Sequence, residues 1–299
     1  MSRTFAVGLV LFAAILMSFI GLTLRLIEQA DGFQILVYRS LSLSLVVLLL
    51  ACLRRKAGPI DIIRSLDRLD LLIGLLLSFI FTSYVLALLN TSIASALFLL
   101  SSAPIFAAGL AWIFIGERPT QVTWIALSMA IAGVLIMVQD GFSTGGTLGN
   151  VFAILSAFCF ASLLVVIRWT GREDTLGGIF LGGIFATILN IAILLFIGKG
   201  IVLTQWDLII SLFMGAILTG LGVACVTWAA SRLPSSEVST LILLESVLGP
   251  IWVWIFLGEK TTSSVLFGGA IVLGAVTMLT LSRGDVSFDK TPVEKIGRD

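Results

Sequence analysis

The sequence predicts an all-α membrane protein, with ten transmembrane helices arranged as two inverted five-helix repeats. Three observations point there. Apolar residues make up 59% of the chain and charged residues only 12%, for a mean hydropathy of +1.15, whereas a soluble domain is about half apolar and about a quarter charged. The apolar residues gather in runs of roughly 20, the length a helix needs to cross the hydrocarbon core with every backbone amide satisfied inside the segment. The second half of the chain also repeats landmarks of the first.

Taken in order, runs bounded by Gly, Pro or charge place spans near 4–23, 33–53, 70–88, 93–115 and 121–138. The first lacks a small-residue cleavage site and is followed by further spans, so it reads as retained. Residues 1–140 therefore form one five-span unit. A polar turn with Asp140, Gly141, Ser143, Gly145 and Gly146 follows, and residues 147–282 hold the second unit, with spans near 149–168, 176–198, 207–230, 237–257 and 262–281. The tail, residues 283–299, is polar, contains Pro292 and has no apolar face to bury, so it is expected to be a disordered cytoplasmic segment.

Cytoplasmic loops carry the excess of Lys and Arg. One side collects Arg3, Arg54, Arg55, Lys56, Arg64, Arg68, Arg118, Arg168, Arg172, Arg232, Arg283, Lys290, Lys295 and Arg298, while the other holds only Arg25, Lys199 and Lys260. Both termini are thereby expected in the cytoplasm of a multi-pass protein of the cell membrane.

The repeat is carried by specific residues. Trp112–Glu117 reads WIFIGE and Trp254–Glu259 reads WIFLGE, each at the end of the fourth span of its unit, 142 residues apart. A second match, offset by 137, pairs Asp70, Leu71, Ile73, Leu75, Ile80 and Thr82 with Asp207, Leu208, Ile210, Leu212, Ile217 and Thr219 at the openings of the third spans. The difference of five is expected in the loop before the ninth span, around Arg232, Pro234, Ser235 and Ser236. Five crossings per repeat turn the second repeat upside down, and two inverted half-structures can open a midplane site to one side and then the other.

Composition removes several function classes. A net charge of +1 does not fit a nucleic-acid partner. Cys52, Cys159 and Cys225 sit in apolar stretches and suggest neither disulfides nor a metal site. The chain contains no His, which excludes histidine-dependent hydrolysis and the usual zinc chemistry. No phosphate-binding GxxxxGK[ST] motif occurs, so any energy comes from a gradient or an exchange. No cofactor, metal or catalytic residue is expected, and the chain does not read as an enzyme.

At these residues the sequence resembles the drug/metabolite transporter superfamily, and within it the EamA-like ten-helix transporters. The resemblance rests on WIFIGE and WIFLGE, on SSAPIF around Pro104 and on ESVLGPIWVW from Glu245 to Trp254, and it covers residues 4–281. It implies a central cavity lined mainly by spans one, three, four, six, eight and nine, and export of amino acids or other metabolites. One departure is Ser246, the repeat mate of Pro104, where the family often has Pro.

Candidate substrate-binding residues follow. Glu245 lies near the middle of the ninth apolar span, where an ionised group is costly unless it faces a wet cavity or a partner. It could hold a substrate ammonium or carry a coupling proton, or be a protonated acid bonded to a neighbouring helix. Arg39, early in the second span, could bind a carboxylate, snorkel, or pair with Glu28 or Asp31. Tyr84 and Asn90 in span three, Ser101 and Ser102 in span four, Trp228 with Thr227 in span eight, and Ser246 could supply polar and aromatic walls, although small polar residues also serve helix packing. Trp112, Trp252 and Trp254 read as interfacial anchors. Pro104 can break its helix at the depth of a site, and Gly177, Gly178, Gly182, Gly183, Gly220 and Gly222 read as close packing or hinges.

The sequence thus reads as a secondary carrier, an exporter of small polar metabolites such as amino acids, whose partners are the substrate, the bilayer and a coupling proton. A nucleotide-sugar or phosphorylated-sugar carrier would need more cations within its spans. A membrane enzyme would need clustered acids or metal ligands, of which Asp61, Asp67 and Asp70 are a thin version. A scaffold or sensor without transport would need a larger extramembrane region.

Overall fold

The structure, a computed structural model, describes residues 3–91, 93–139, 146–172, 174–258 and 263–281. The tail 283–299, the turn residues 140–145, and Glu259 and Lys260 lie outside the described residues.

Every predicted span is helical. The first unit comprises α1 (Arg3–Arg25), α2 (Gly32–Arg55), α4 (Arg68–Asn90), a fourth span broken into α5 (Ile93–Leu100) and α6 (Ala103–Ile115), and α7 (Gln121–Val138). The second comprises α8 (Thr147–Thr170), α9 (Leu176–Phe196), an eighth span made of α10 (Gln205–Phe213), a π-helical stretch (Met214–Leu221) and α11 (Gly222–Ala230), a ninth span broken into α12 (Ser235–Ile242) and α13 (Leu244–Leu257), and α14 (Ser263–Leu281). Between α2 and α4 lies α3 (Pro59–Arg64), a short surface helix not expected from the sequence, opened by Pro59 and closed by Ser65. Among the described residues, eight spans are long and apolar enough by themselves to cross a membrane, and Gln121–Ile136 and Leu266–Leu279 are shorter apolar stretches at the positions of spans five and ten.

Local chemistry sets the helix ends. Asp31 caps α2 by accepting the Phe33 N–H while the Gln34 side chain accepts the Asp31 N–H. Asp67 caps α4 in the same reciprocal way with Asp70. In the two WIF motifs the glycine is the C-terminal cap: Gly116 (φ 78°) donates to Trp112 O and Gly258 (φ 69°) to Trp254 O, a left-handed conformation that a side chain would strain.

The two units interlock by a pattern that repeats under exchange of halves. The most extensive packings join equivalent helices, α2 with α9 and α7 with α14. The next most extensive come in matched pairs: α4 on α8 corresponds to α11 on α1, α4 on α9 to the π-helical stretch on α2, and α6 on α8 to α13 on α1. The repeated aspartates take part. Asp207 is fully buried and accepts the Glu28 and Gln29 N–H groups (3.0 and 3.2 Å), holding the loop after α1. Asp70, equally buried, accepts from Arg172 (3.1 Å) in the loop after α8. Each third-span aspartate therefore grips the first loop of the opposite unit.

Glycine lets these helices approach. A Cβ on Gly178 would lie 2.6 Å from Ile73 and one on Gly182 2.7 Å from Leu77 at the α4–α9 seam, and one on Gly133 would lie 2.7 Å from the Gly268 carbonyl between α7 and α14. The length difference between repeats corrects the expectation from sequence. The loop Ser231–Pro234 contributes only part of it. The rest lies within the eighth span, whose wider π-helical stretch takes up added residues.

Candidate functional site

Both broken spans are interrupted at repeat-equivalent positions, Ser101–Ser102 and Leu243, 142 residues apart at the first residue. In the fourth span Pro104 sits in the first turn of α6 and has no N–H to give, while Ser101 and Ser102 turn back to cap Phe98 O and Leu99 O (2.6 and 2.5 Å). In the ninth span the break falls seven residues before Pro250, and the Ser246 hydroxyl caps Leu243 O at 2.7 Å. Glu245 thereby lands in the first turn of α13, at the positive end of a half-helix.

Between the units lies a cavity of about 850 Å³. Its walls come from α1, α4, the α5–α6 break, α8, α11 and the α12–α13 break, with Val134 from α7, which are the spans the resemblance implies plus one residue of span five. Met17, Leu77, Ile80, Phe81, Phe160 and Leu163 make most of the surface apolar. Glu245, Tyr84, Ser101 and Ser246 all line it, so the sequence reading brought four of its candidates to one place.

The other candidates lie elsewhere. Asn90 is exposed and donates to Leu86 O of its own helix (2.8 Å). Ser102 is spent on its cap and is not on the wall. Trp228 faces outward with its ring under the Arg54 guanidinium, 4.9 Å from the centroid, and its neighbour Thr227 is the wall residue. Arg39 is 8% exposed; its Nε donates to Thr219 Oγ1 (3.0 Å) and its guanidinium lies over the Phe81 ring at 5.4 Å. It neither snorkels nor pairs with Asp31, whose partner is Lys199. Its charge still acts on Tyr84 and Glu245. Trp112 and Trp254 are exposed as anchors should be. Trp252 is instead built into the α1–α13 seam, stacked on Phe19 (4.6 Å) with its Nε1–H on Ser18 Oγ (2.8 Å).

Wall residues missed from sequence are Ser18, Ser156 and Ser239, together with Arg25 at the last position of α1. The only available signal for the serines was a hydroxyl within an apolar run.

The cavity is asymmetric along the helix axes. It reaches Arg25 and Val253 at one end. Towards the other, basic end its lining stops at Leu163, Thr227 and Ser239, one to two turns inside the ends of α8, α11 and α12. Ion pairs close that end. Arg168 donates to Glu117 (2.6 Å) and to Ser231 O (3.2 Å), and Arg3 pairs with Glu237 (3.2 Å). Arg3, Arg168 and Glu237 belong to spans one, six and nine, which carry most of the wall, and Glu117 and Ser231 follow the ends of spans four and eight.

A family model described as the EamA-like transporter family matches the chain twice, over residues 4–139 and 147–281. The chain belongs to the EamA-like transporter family. It is a multi-pass membrane transporter and not an enzyme. Among its relatives, the pseudopaline exporter CntI of Pseudomonas aeruginosa is 24% identical over 254 residues, 84% of this chain and 86% of that protein. A probable terminal-alkyne amino-acid exporter of Streptantibioticus cattleyicolor is 23% identical over 258 residues, 83% and 85% of the two chains. The threonine/homoserine exporter RhtA of Escherichia coli is 25% identical over 166 residues, 55% and 56%. A solved crystal structure superimposes with a TM-score of 0.79 at 18% identity, covering 94% of this chain and 99% of that one, a likeness of fold.

Proposed function

We propose that this chain is a secondary-active exporter of small polar metabolites of the amino-acid type, working by alternating access. The observation that carries the reading is Glu245, an intramembrane acid on the wall of a cavity between two repeated five-helix units. The names of the three relatives support export of amino acids or related metabolites.

In this mechanism the units 1–140 and 147–282 exchange conformations about the cavity. The basic end, with its Lys and Arg excess, faces the cytoplasm together with both termini and the tail 283–299. The described conformation is then outward-facing, with the cytoplasmic mouth sealed by Arg168–Glu117 and Arg3–Glu237. Glu245, Tyr84, Ser101 and Ser246 contact the substrate, while Arg39 tunes the acid from its place against Phe81. One carboxylate serves substrate and coupling proton in turn, so that proton entry from outside accompanies substrate release. A sugar-phosphate carrier fits less well, because the cavity presents one acid and keeps Arg39 off the wall.

The test is a metabolite release screen in cells overproducing the wild type or Glu245→Gln. The reading expects a compound whose release rises with the wild type and returns to background with the variant. Identical release profiles from wild type, variant and empty cells would contradict it.

A further inference from the structure

The serine and threonine hydroxyls of the cavity wall spend their hydrogen on backbone carbonyls. Ser18 donates to Ile15 O (2.6 Å), Ser101 to Phe98 O (2.6 Å), Ser156 to Ile80 O (3.1 Å), Thr227 to Val223 O (2.9 Å), Ser239 to Ser235 O (2.9 Å) and Ser246 to Leu243 O (2.7 Å). A hydroxyl has one hydrogen and two lone pairs, so none of these groups has a donor left for a ligand; Ser18 and Thr227 already accept from Trp252 Nε1–H and Thr175 Oγ1–H, and Ser101, Ser156 and Ser239 are 2% exposed or less. Beside the Glu245 carboxylate the wall therefore offers few side-chain donors to an anion, the Tyr84 hydroxyl among them.

Cations are held away from that surface. Arg39 is turned into the protein by Thr219 and Phe81, so its donor fork is not offered to a ligand carboxylate. Arg25 is on the wall but at the rim. Gly249 lies beside Ser18, with a Cβ on it 3.7 Å from the Ser18 carbonyl. Arg25 is seven residues beyond Ser18 in one direction and Glu245 four residues before Gly249 in the other, so their backbones stand roughly 15 Å apart along the helix axes. The two charges of an α-amino acid sit on one carbon. Two half-helix N-termini also face the cavity: that of α13 already has Glu245 in its first turn, and that of α6 has Pro104, which brings no N–H.

We propose that the transporter reads the ammonium group of its substrate and not the carboxylate, so that its ligands are primary ammonium compounds with an apolar body, whether or not they carry a carboxyl. The cation docks on Glu245, and the body lies on Leu77, Phe81, Phe160 and Leu163. This inference deepens the exporter reading and rests on it.

The test is ligand-induced thermal stabilisation of the purified full chain in detergent, with phenylethylamine, phenylalanine amide, phenylalanine and N-acetylphenylalanine as probes. The amine and the amide should bind at least as tightly as phenylalanine and at least about tenfold more tightly than the N-acetyl compound. In Glu245→Gln, checked for unchanged elution and unliganded melting temperature, that preference should fall below about twofold. Binding of N-acetylphenylalanine equal to that of the amide, or a preference that survives Glu245→Gln, overturns the proposal. So does stabilisation by none of the four. The cellular release screen uses none of these probes, so the exporter reading stands or falls separately.

Discussion

At the scale of single residues, Glu245 was legible because an acid inside an apolar run has a solvation cost that demands an explanation. Ser18, Ser156 and Ser239 were not, because a helical hydroxyl satisfies itself on its own backbone whether it faces a cavity or a neighbour. Asn90 and Trp228 failed for a related reason: in spans apolar on every side, the sequence does not say which way a residue turns. Two predictions belong here. Glu245→Gln should lower substrate release about tenfold or more while leaving folding intact, measured as release per folded protein in membranes. Asp67 gives a pH signature, since the Asp70 N–H and, behind it, the Arg172 guanidinium hold its carboxyl down at about 2 from an ordinary 3.8. A lowered folded-state value contributes stability that is fully present above pH 3.8 and lost as pH falls towards 2. Melting temperature should therefore drop between about pH 4 and pH 2, and less steeply in Asp67→Asn.

At the scale of elements, the spans were readable within a few residues, because length and apolarity are properties of whole segments. The surface helix α3 was too short to show a period. The extra residues of the second repeat were assigned to a loop because loops accept insertions most easily, and the structure shows a π-helical stretch sharing them. That stretch packs tightly on α2: a Cβ on Gly215 would collide with the Arg39 carbonyl and Ser42 Oγ. Gly215→Ala should therefore destabilise the protein by about 1–3 kcal/mol, read as a lower melting temperature. Gly109→Ala, where a Cβ meets nothing within 4 Å, should not. The ion pairs of the basic end predict a further effect. Glu117→Gln together with Glu237→Gln removes the Arg168 and Arg3 ion pairs of the closed end, contacts that the proposed opening of that end would break. The double variant should populate the opposite conformation tenfold or more over wild type, which costs about 1.4 kcal/mol of differential stability.

At the scale of the molecule, the repeat was legible because Trp, Gly, Glu and Asp recur where chance matches of Leu and Ile carry no weight. Its geometry goes further than its sequence: the broken spans, the glycine caps and the gripping aspartates Asp70 and Asp207 all recur under exchange of the units. The asymmetry of the present conformation, open towards Arg25 and Val253 and closed at Arg168 and Glu237, was beyond the sequence, because under the alternating access proposed above one sequence serves both conformations. The most direct test is labelling with a membrane-impermeant thiol reagent in oriented vesicles, on a background with Cys52, Cys159 and Cys225 replaced by Ala. In the wild-type background Val253→Cys should react from the outside and Ser239→Cys from neither side. With Glu117→Gln and Glu237→Gln, Ser239→Cys should become reactive from the cytoplasmic side and Val253→Cys should be protected. Reaction of both positions from one side, unchanged by the ion-pair substitutions, would contradict alternating access around this cavity.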